Sequence, residues 1–208
     1  MIRSFFTIIL FPCFLFAQTE IWVSVGRTGP SSSFYSIDKS AFLDLYWAKG
    51  VSVAGGLHFA LTNSLWLSPE INYAYFRWDN FNFYGVMIPE QTIRSASGNN
   101  SNIYRFMLNA RLYARSSSFI RFYILTGIGY TIEKIGKIQA LVEDMNGPSF
   151  IWDIQYRGRS YPTHSLGLGF RLEVIDPMSI DVTARYFTDY SKRFHTSVNL
   201  GLIYSFSR

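Results

Sequence analysis

The stretch IYRFMLNARLYAR, residues 103–115, separates its side chains by parity. Its even-numbered positions are all apolar or aromatic, whereas Arg105, Asn109, Arg111 and the closing arginine have odd numbers. An α-helix would mix the two sets because its faces repeat every ~3.6 residues, but a strand separates them at a period of two. The stretch therefore predicts a β-strand whose two faces contact different surroundings.

Eight segments of the chain alternate in this way. They span residues 20–28, 50–61, 65–78, 102–115, 119–134, 163–174, 180–190 and 195–206. The connections alternate between short ones, at 62–64, 116–118 and 175–179, and long ones, at 29–49, 79–101 and 135–162, with a last short one at 191–194. Even strand number, short turns at one end and long loops at the other are typical of membrane barrels. We predict an all-β fold, an eight-stranded antiparallel transmembrane β-barrel.

The two faces of these strands predict which side points outward. We expect the apolar face to be free of Asp, Glu, Lys and Arg and to contact lipid. The opposite face carries charges of both signs and many glycines, which suits the inside of a narrow barrel better than a surface in water. The charged residues that we expect to pair across the lumen are Glu70, Arg105, Arg111, Arg121, Glu133, Arg171, Glu173, Asp181 and Arg185.

The N-terminus reads MIRSFFTIILFPCFLFAQTE and has the features of a secretory signal peptide. Arg3 precedes an apolar run at 5–16, which is too short for a spanning helix of ~20 residues. Cleavage after Ala17 would give a signal peptide at 1–17 and a barrel domain at 18–208. Cys13 is the only cysteine, so the mature chain would have neither disulfide nor thiolate chemistry.

Three strands carry a family resemblance. LWLSPEINYAYF at 65–76, ILTGIGY at 124–130 and VNLGLIYSF at 198–206 resemble the small barrels of the bacterial outer membrane, the OmpA- and OmpX-like porin-family domain. The resemblance implies that the barrel assembly machinery reads the closing strand through Tyr204 and Phe206. Ser207 and Arg208, which follow that aromatic residue, depart from the family pattern.

Aromatic residues near the strand ends allow two interpretations. They can form girdles at the membrane interfaces, or they can fill the lumen, as the register of two tryptophans favours. The residues concerned are Trp22, Trp66, Tyr73, Tyr75, Trp78, Tyr186 and Tyr204.

One arrangement invites a catalytic interpretation. His195 and Ser197 share a strand face and resemble the H-x-S pair of the lipid A deacylase, with Asp189 as a candidate to orient the histidine. Val198 stands where that enzyme has asparagine. We therefore expect no enzyme activity, and we expect neither a metal nor a cofactor, since the histidines lack a zinc-binding pattern.

The function expected is a structural, adhesive or surface-interaction role in the outer membrane without a wide pore, because eight strands leave a lumen that side chains fill. The alternatives are a lipid-modifying barrel enzyme and a soluble lipocalin-like barrel. Nucleic acid is excluded as a partner, since the arginines form no exposed basic stripe. We expect a monomer that contacts outer-membrane lipid and lipopolysaccharide phosphates. Basic residues on the loop side available for those phosphates are Arg27, Lys39, Lys49, Arg94, Lys134, Lys137, Arg157, Arg159, Lys192 and Arg193.

Overall fold

The computed structural model describes residues 18–30, 50–77, 91–114, 119–134, 136–144, 147–154, 158–189 and 194–206. The regular structure within these ranges is entirely β. The strands are β1 (Thr19–Pro30), β2 (Gly50–Ala60), β3 (Leu65–Phe76), β4 (Gln91–Gly98), β5 (Ser101–Tyr113), β6 (Ile120–Lys134), β7 (Ile138–Asp144), β8 (Phe150–Ile154), β9 (Arg159–Ile175), β10 (Met178–Asp189) and β11 (Phe194–Ser205). Within these ranges we find no helix with the length and apolar character needed to cross a membrane.

Eight of these strands close into one barrel in the order β1-β11-β10-β9-β6-β5-β3-β2. Every neighbouring pair is antiparallel. The eight predicted segments correspond one to one with the eight barrel strands, so the predicted antiparallel barrel is confirmed. The largest difference in a boundary is at β9, which begins at Arg159 rather than at the predicted residue 163. Residues 1–17 lie outside the described ranges, and the signal peptide stays a prediction.

The stagger of the strands fixes the width of the barrel. We step from each residue to its partner on the next strand until the circuit of the barrel is complete. A circuit that starts at Tyr75 on β3 ends at Leu65 on the same strand, so the stagger is ten residues. Strand number and stagger together set the tilt and the diameter, and eight strands enclose a space that side chains can fill. The lumen is therefore the core of this protein.

Alternation along the strands sorts the side chains into this core and an outer surface. Buried polar and charged side chains point inward, and apolar side chains point outward. The outward apolar residues, each between 48 and 66% exposed, include Val23, Val25, Val53, Ile71, Phe106, Leu108, Ile124, Ile128, Leu166, Leu168, Val198, Leu200 and Leu202.

The expectation of an uncharged outer face is wrong at one end of the barrel. Arg27 and Lys134 are exposed on the outward register at the end that carries the long connections. Lys134 lies over the ring of Tyr104, with Nζ 5.7 Å from the ring centre. Charge on this face is thus placed at a strand end, where long side chains can extend beyond an apolar band.

A second, three-stranded sheet in the order β4-β7-β8 lies within the connections at 79–101 and 135–162. The sequence analysis describes these connections as long loops and does not predict the three strands. Their alternation is short and only partly apolar, which makes it weak as a sequence signal: Ala140 and Val142 are buried, whereas Leu141 between them is 38% exposed. An ion pair of 2.6 Å, Arg94–Glu143, joins β4 to β7 of this outer sheet, and one of 3.0 Å, Lys137–Asp153, joins the start of β7 to β8. The hydrogen bond to Glu143 raises the pKa of Arg94.

Candidate functional site in the barrel lumen

The lumen contains a stack of buried charged side chains, and it is the candidate functional site. Arg105, Arg111, Arg171 and Arg185 are each at most 5% exposed. An isolated buried charge would cost several kcal/mol, so each guanidinium must find acceptors inside the barrel.

Near the short-turn end, Arg171 on β9 binds Glu20 on β1. Nη1 of Arg171 donates to both carboxylate oxygens, at 2.9 and 2.8 Å, and the Ser205 hydroxyl donates to the same carboxylate at 2.7 Å. His58 Nδ1 lies 3.4 Å from Glu20. Sequence analysis missed Glu20 as a lumen residue, although it shares the parity of Trp22, which would have placed it inward.

One step further along the lumen, Asp181 on β10 accepts hydrogen bonds from three strands. Arg111 reaches it at 3.3 Å, the Tyr123 hydroxyl donates at 2.9 Å and the Thr183 hydroxyl at 2.7 Å. The guanidinium of Arg111 also lies over two aromatic rings, 4.9 Å from Tyr123 and 5.3 Å from Trp22. The aromatic faces add a favourable cation–π contact to the ion pair.

Glu70 on β3 is the centre of the next group. It forms an ion pair with Arg185 and accepts a hydrogen bond of 2.9 Å from the Asn109 amide. The Ser165 hydroxyl donates to the amide oxygen of Asn109 at 3.1 Å, which fixes the orientation of that amide. Arg185 lies 5.7 Å from the ring centre of Trp22. Four strands are tied together through this one carboxylate.

Two of the predicted lumen arginines lie nearer the ends of the barrel. Arg121 pairs with Glu173 at 2.7 Å at the short-turn end, where both side chains are partly exposed. Arg105, toward the other end, donates to the Asn72 amide oxygen at 3.1 Å and lies 4.4 Å from the ring centre of Phe187. Glu133 is buried in the same half of the lumen as Arg105.

Some of the aromatic residues near the strand ends lie in the lumen, and others lie on the outward register. Trp22 and Trp66 are buried in the lumen, where Trp22 stacks on His58 and Trp66 packs against Tyr113. The tyrosines Tyr73, Tyr75, Tyr186 and Tyr204 belong to the outward register. Trp78 lies outside the described residues.

The catalytic pair of the sequence analysis also lies inside the barrel. His195 is buried against the ring of Phe76, with 5.8 Å between ring centres, and the Ser197 hydroxyl accepts a hydrogen bond of 3.1 Å from Asn199. No hydrogen bond joins His195 to Ser197 in the described ranges, and the side chain of Asp189 lies outside them. No group of three or more metal-binding side chains occurs among the described residues.

Comparison with known proteins gives a fold but no family model. No protein-family model matches the chain, and no curated protein matches it in sequence. Neisserial surface protein A has a similar structure, with a TM-score of 0.53, 13% identity, and 90% of this chain and 97% of that chain covered. Ail, the attachment invasion locus protein of Yersinia pestis, aligns with a TM-score of 0.49 at 16% identity over 91% of this chain and 99% of its own. A major outer membrane protein of Thermus thermophilus aligns with a TM-score of 0.49 at 11% identity, covering 90% of this chain and 99% of that chain.

Of these three likenesses, the first alone exceeds a TM-score of 0.5, and at 13% identity it establishes the fold and nothing further. The closed eight-stranded topology and this likeness together define the class. By fold, the chain is a closed eight-stranded antiparallel β-barrel, the architecture that small outer-membrane barrels such as Neisserial surface protein A also have.

Removal of one lumen carboxylate should reveal how strongly the charges depend on each other. We expect Glu70→Ala to lower the free energy of unfolding by ~3 kcal/mol or more, because Arg185 stays buried without its carboxylate. Glu143→Ala, which removes the carboxylate of the exposed pair with Arg94, should have little effect, because water screens that pair. Urea unfolding of the barrel, followed by tryptophan fluorescence, measures both. Equal losses in the two variants would contradict the view that the Glu70 pair is a buried ion pair.

Proposed function

We propose that this protein is an integral barrel of the bacterial outer membrane with a structural or adhesive role, without a wide pore and without enzyme activity. The observation that carries the proposal is the outer surface of the barrel. A continuous band of aliphatic and aromatic side chains covers it, and the charged residues Arg27 and Lys134 on that register are found at one end.

Water is a poor solvent for such a band. Soluble monomers rarely expose contiguous apolar patches larger than a few hundred Å², whereas a barrel in lipid needs an apolar belt and no unpaired strand edge. The closed strand order meets the second requirement. The tyrosines on the outward register, and the cations Arg27 and Lys134 at one end of the barrel, suit an interface with lipid headgroups.

The packed lumen supports a role other than diffusion. Trp22, Trp66 and four buried arginines occupy the interior. The space beside Arg105 that Phe187 and His195 also line has no room for a water molecule. Solute passage would require the ion pairs of the lumen to separate, which favours a scaffold over a channel.

The outer sheet supports a role in surface interaction. Leu141 and Ile151 are paired across β7 and β8 and are 38 and 69% exposed, between the Arg94–Glu143 and Lys137–Asp153 ion pairs. An apolar centre with a charged rim is the usual composition of a binding surface. Lipopolysaccharide phosphates are the partners proposed for Arg27 and Lys134. Of the other basic loop residues, Lys39, Lys49, Arg157, Lys192 and Arg193 lie outside the described residues.

Cell fractionation tests the proposal directly. We expect the protein in the outer-membrane fraction, resistant to alkaline carbonate, and we expect boiled and unboiled samples to migrate differently in detergent electrophoresis because the closed ladder survives mild detergent. Recovery in the soluble periplasmic fraction would favour the lipocalin-like alternative instead.

A charge placed in the apolar band should distinguish lipid from water as its surroundings. Leu108→Arg should destabilise the barrel in lipid vesicles by ~2–4 kcal/mol, because an arginine near mid-depth loses hydration. Leu141→Arg is the matched control, since Leu141 has a similar exposure on the outer sheet, and it should be close to neutral. Reversible unfolding in vesicles measures both, and a neutral Leu108→Arg would show that the band faces water.

The closing strand should carry the assembly signal. Phe206 is 60% exposed and packs edge-on against Tyr204 at 5.6 Å, while its backbone nitrogen donates to the Thr19 carbonyl at 3.1 Å. Phe206→Ala keeps the backbone bond and removes the ring, so we expect slower insertion by the barrel assembly machinery with unchanged export across the inner membrane. Phe122→Ala is the control, since Phe122 is an outward aromatic of the same exposed fraction on β6. Pulse-chase measurement of folded barrel compares them, and equal insertion rates would place the signal elsewhere.

A further inference from the structure

Two exposed cations flank a group of tyrosines on the outer surface, at the end of the barrel with the long connections. Lys134 ends β6, and Arg77 directly follows β3. Strand β5 lies between these two strands in the barrel. We propose that the surface between Arg77 and Lys134 binds the phosphorylated sugar headgroup of lipopolysaccharide. The site rests on the proposed function, since its ligand is a lipid that surrounds the barrel in the outer membrane.

Four outward side chains form the floor of this site. Tyr73 on β3 is paired with Tyr104 on β5, and Tyr75 is paired with Asn102. The ring centres of Tyr73 and Tyr104 are 5.2 Å apart, and the Tyr73 hydroxyl donates to the amide oxygen of Asn102 at 2.6 Å. This bond occupies the acceptor of the amide and leaves its two N–H donors directed elsewhere. The floor therefore combines ring faces, against which the C–H groups of a sugar can pack, with donors for its oxygens.

The two cations lie on opposite sides of this floor. Lys134 is paired with Asn102, and its Nζ lies 5.7 Å from the ring centre of Tyr104. Arg77 lies two residues beyond Tyr75. Strands ~4.8 Å apart that rise ~3.4 Å per residue place the Cα atoms of the two cations ~12 Å from each other. Two long side chains across that distance can close on one phosphate group.

The positive charge of this surface has no carboxylate beside it on the barrel strands. Among the described side chains of the eight strands, every carboxylate is on the inward register: Glu20, Glu70, Glu133, Glu173 and Asp181. The long loops of membrane barrels lie on the extracellular side, so this end of the barrel meets the outer leaflet. Phosphates of the lipids there are the groups that supply the missing negative charge.

Binding is tested on the folded chain in detergent micelles, where it does not depend on insertion into the outer membrane. Lipid A with both phosphates, the membrane anchor of lipopolysaccharide, is titrated, and native mass spectrometry counts the lipids on each barrel. We expect saturable binding of lipid A. A failed fractionation experiment would contradict the proposed function, whereas a folded barrel that binds no lipid A would contradict this site alone.

Charge variants separate a site from general attraction. Arg77→Gln and Lys134→Gln should each weaken lipid A at least about fivefold, because each removes one charge-assisted contact. Arg27→Gln is the matched control, since Arg27 is exposed on the same register but is paired with Val51 and Val198. It should lower the affinity less than about twofold, as an exposed charge without a built site does. Equal losses in all three variants would show attraction by net charge and would overturn the site.

A variant of the floor tests the role of the rings. Tyr104→Leu keeps an apolar side chain on the outer surface and removes the ring, so it should weaken lipid A about threefold or more. Tyr186→Leu removes an outward tyrosine on β10 and should leave the affinity unchanged. Different migration of boiled and unboiled samples shows that each variant is folded. Equal affinities of the two folded variants would contradict the floor.

Two further lipids test the ligand class. Lipid A without its phosphates should bind at least about tenfold more weakly, since both cations lose their partner. Phosphatidylglycerol, which has a phosphate but no sugar ring, should also bind more weakly than lipid A. The proposal is overturned if lipid A binds without saturation, if its dephosphorylated form binds equally well, or if phosphatidylglycerol binds as tightly.

Discussion

The pairing of β1 with β11 is the interaction on which the rest of the structure depends. It joins Glu20–Pro30 to Ser205–His195 and turns an eight-stranded ribbon into a closed surface. Without closure, both edges would expose unpaired backbone groups, which lipid does not tolerate and which a soluble sheet has to protect. Closure also decides which side chains are buried, because every second side chain of a strand then points into the enclosed lumen. The arginines of the lumen are buried because the first and last strands meet.

Enclosure removes the lumen arginines from water, and contacts with both carboxylates and aromatic rings compensate for the lost hydration. Ion pairs alone do not repay the removal of a guanidinium from water. Arg111 combines Asp181 with two aromatic rings, and Arg185 combines Glu70 with Trp22. Trp22 contacts both arginines, which explains why a tryptophan whose sequence position suits an interface girdle lies inside the barrel. The same ring thus fills volume and gives two guanidinium groups a cation–π contact in addition to their carboxylates.

The sequence predicts the barrel well because one physical rule, the period of two, acts on each strand independently. Residues such as Arg105 and Leu108 need only their parity to be assigned to opposite faces. The ion-pair and hydrogen-bond partners of the lumen side chains cannot be predicted in this way, since they depend on the stagger between strands that are distant in the chain. Arg171 finds Glu20 across 151 residues, and Asn109 rather than a second arginine shares Glu70. Short strands outside the barrel escape prediction as well: β8 has five residues, too few for alternation to stand out from a loop.

A narrow barrel with a fixed stagger separates its middle from its ends. In the middle, each inward side chain meets those of the opposite wall, so the charged groups find their ionic partners within the protein, as Asp181 does in Arg111 and Glu70 in Arg185. At the short-turn end the wall opposite Arg121 ends, and the enclosure opens into a polar cavity. The Arg121–Glu173 pair there is partly exposed, so water can hydrate it. In a barrel whose middle is filled by side chains, charged groups that contact water are therefore found at the ends, where the strands stop before the charges do.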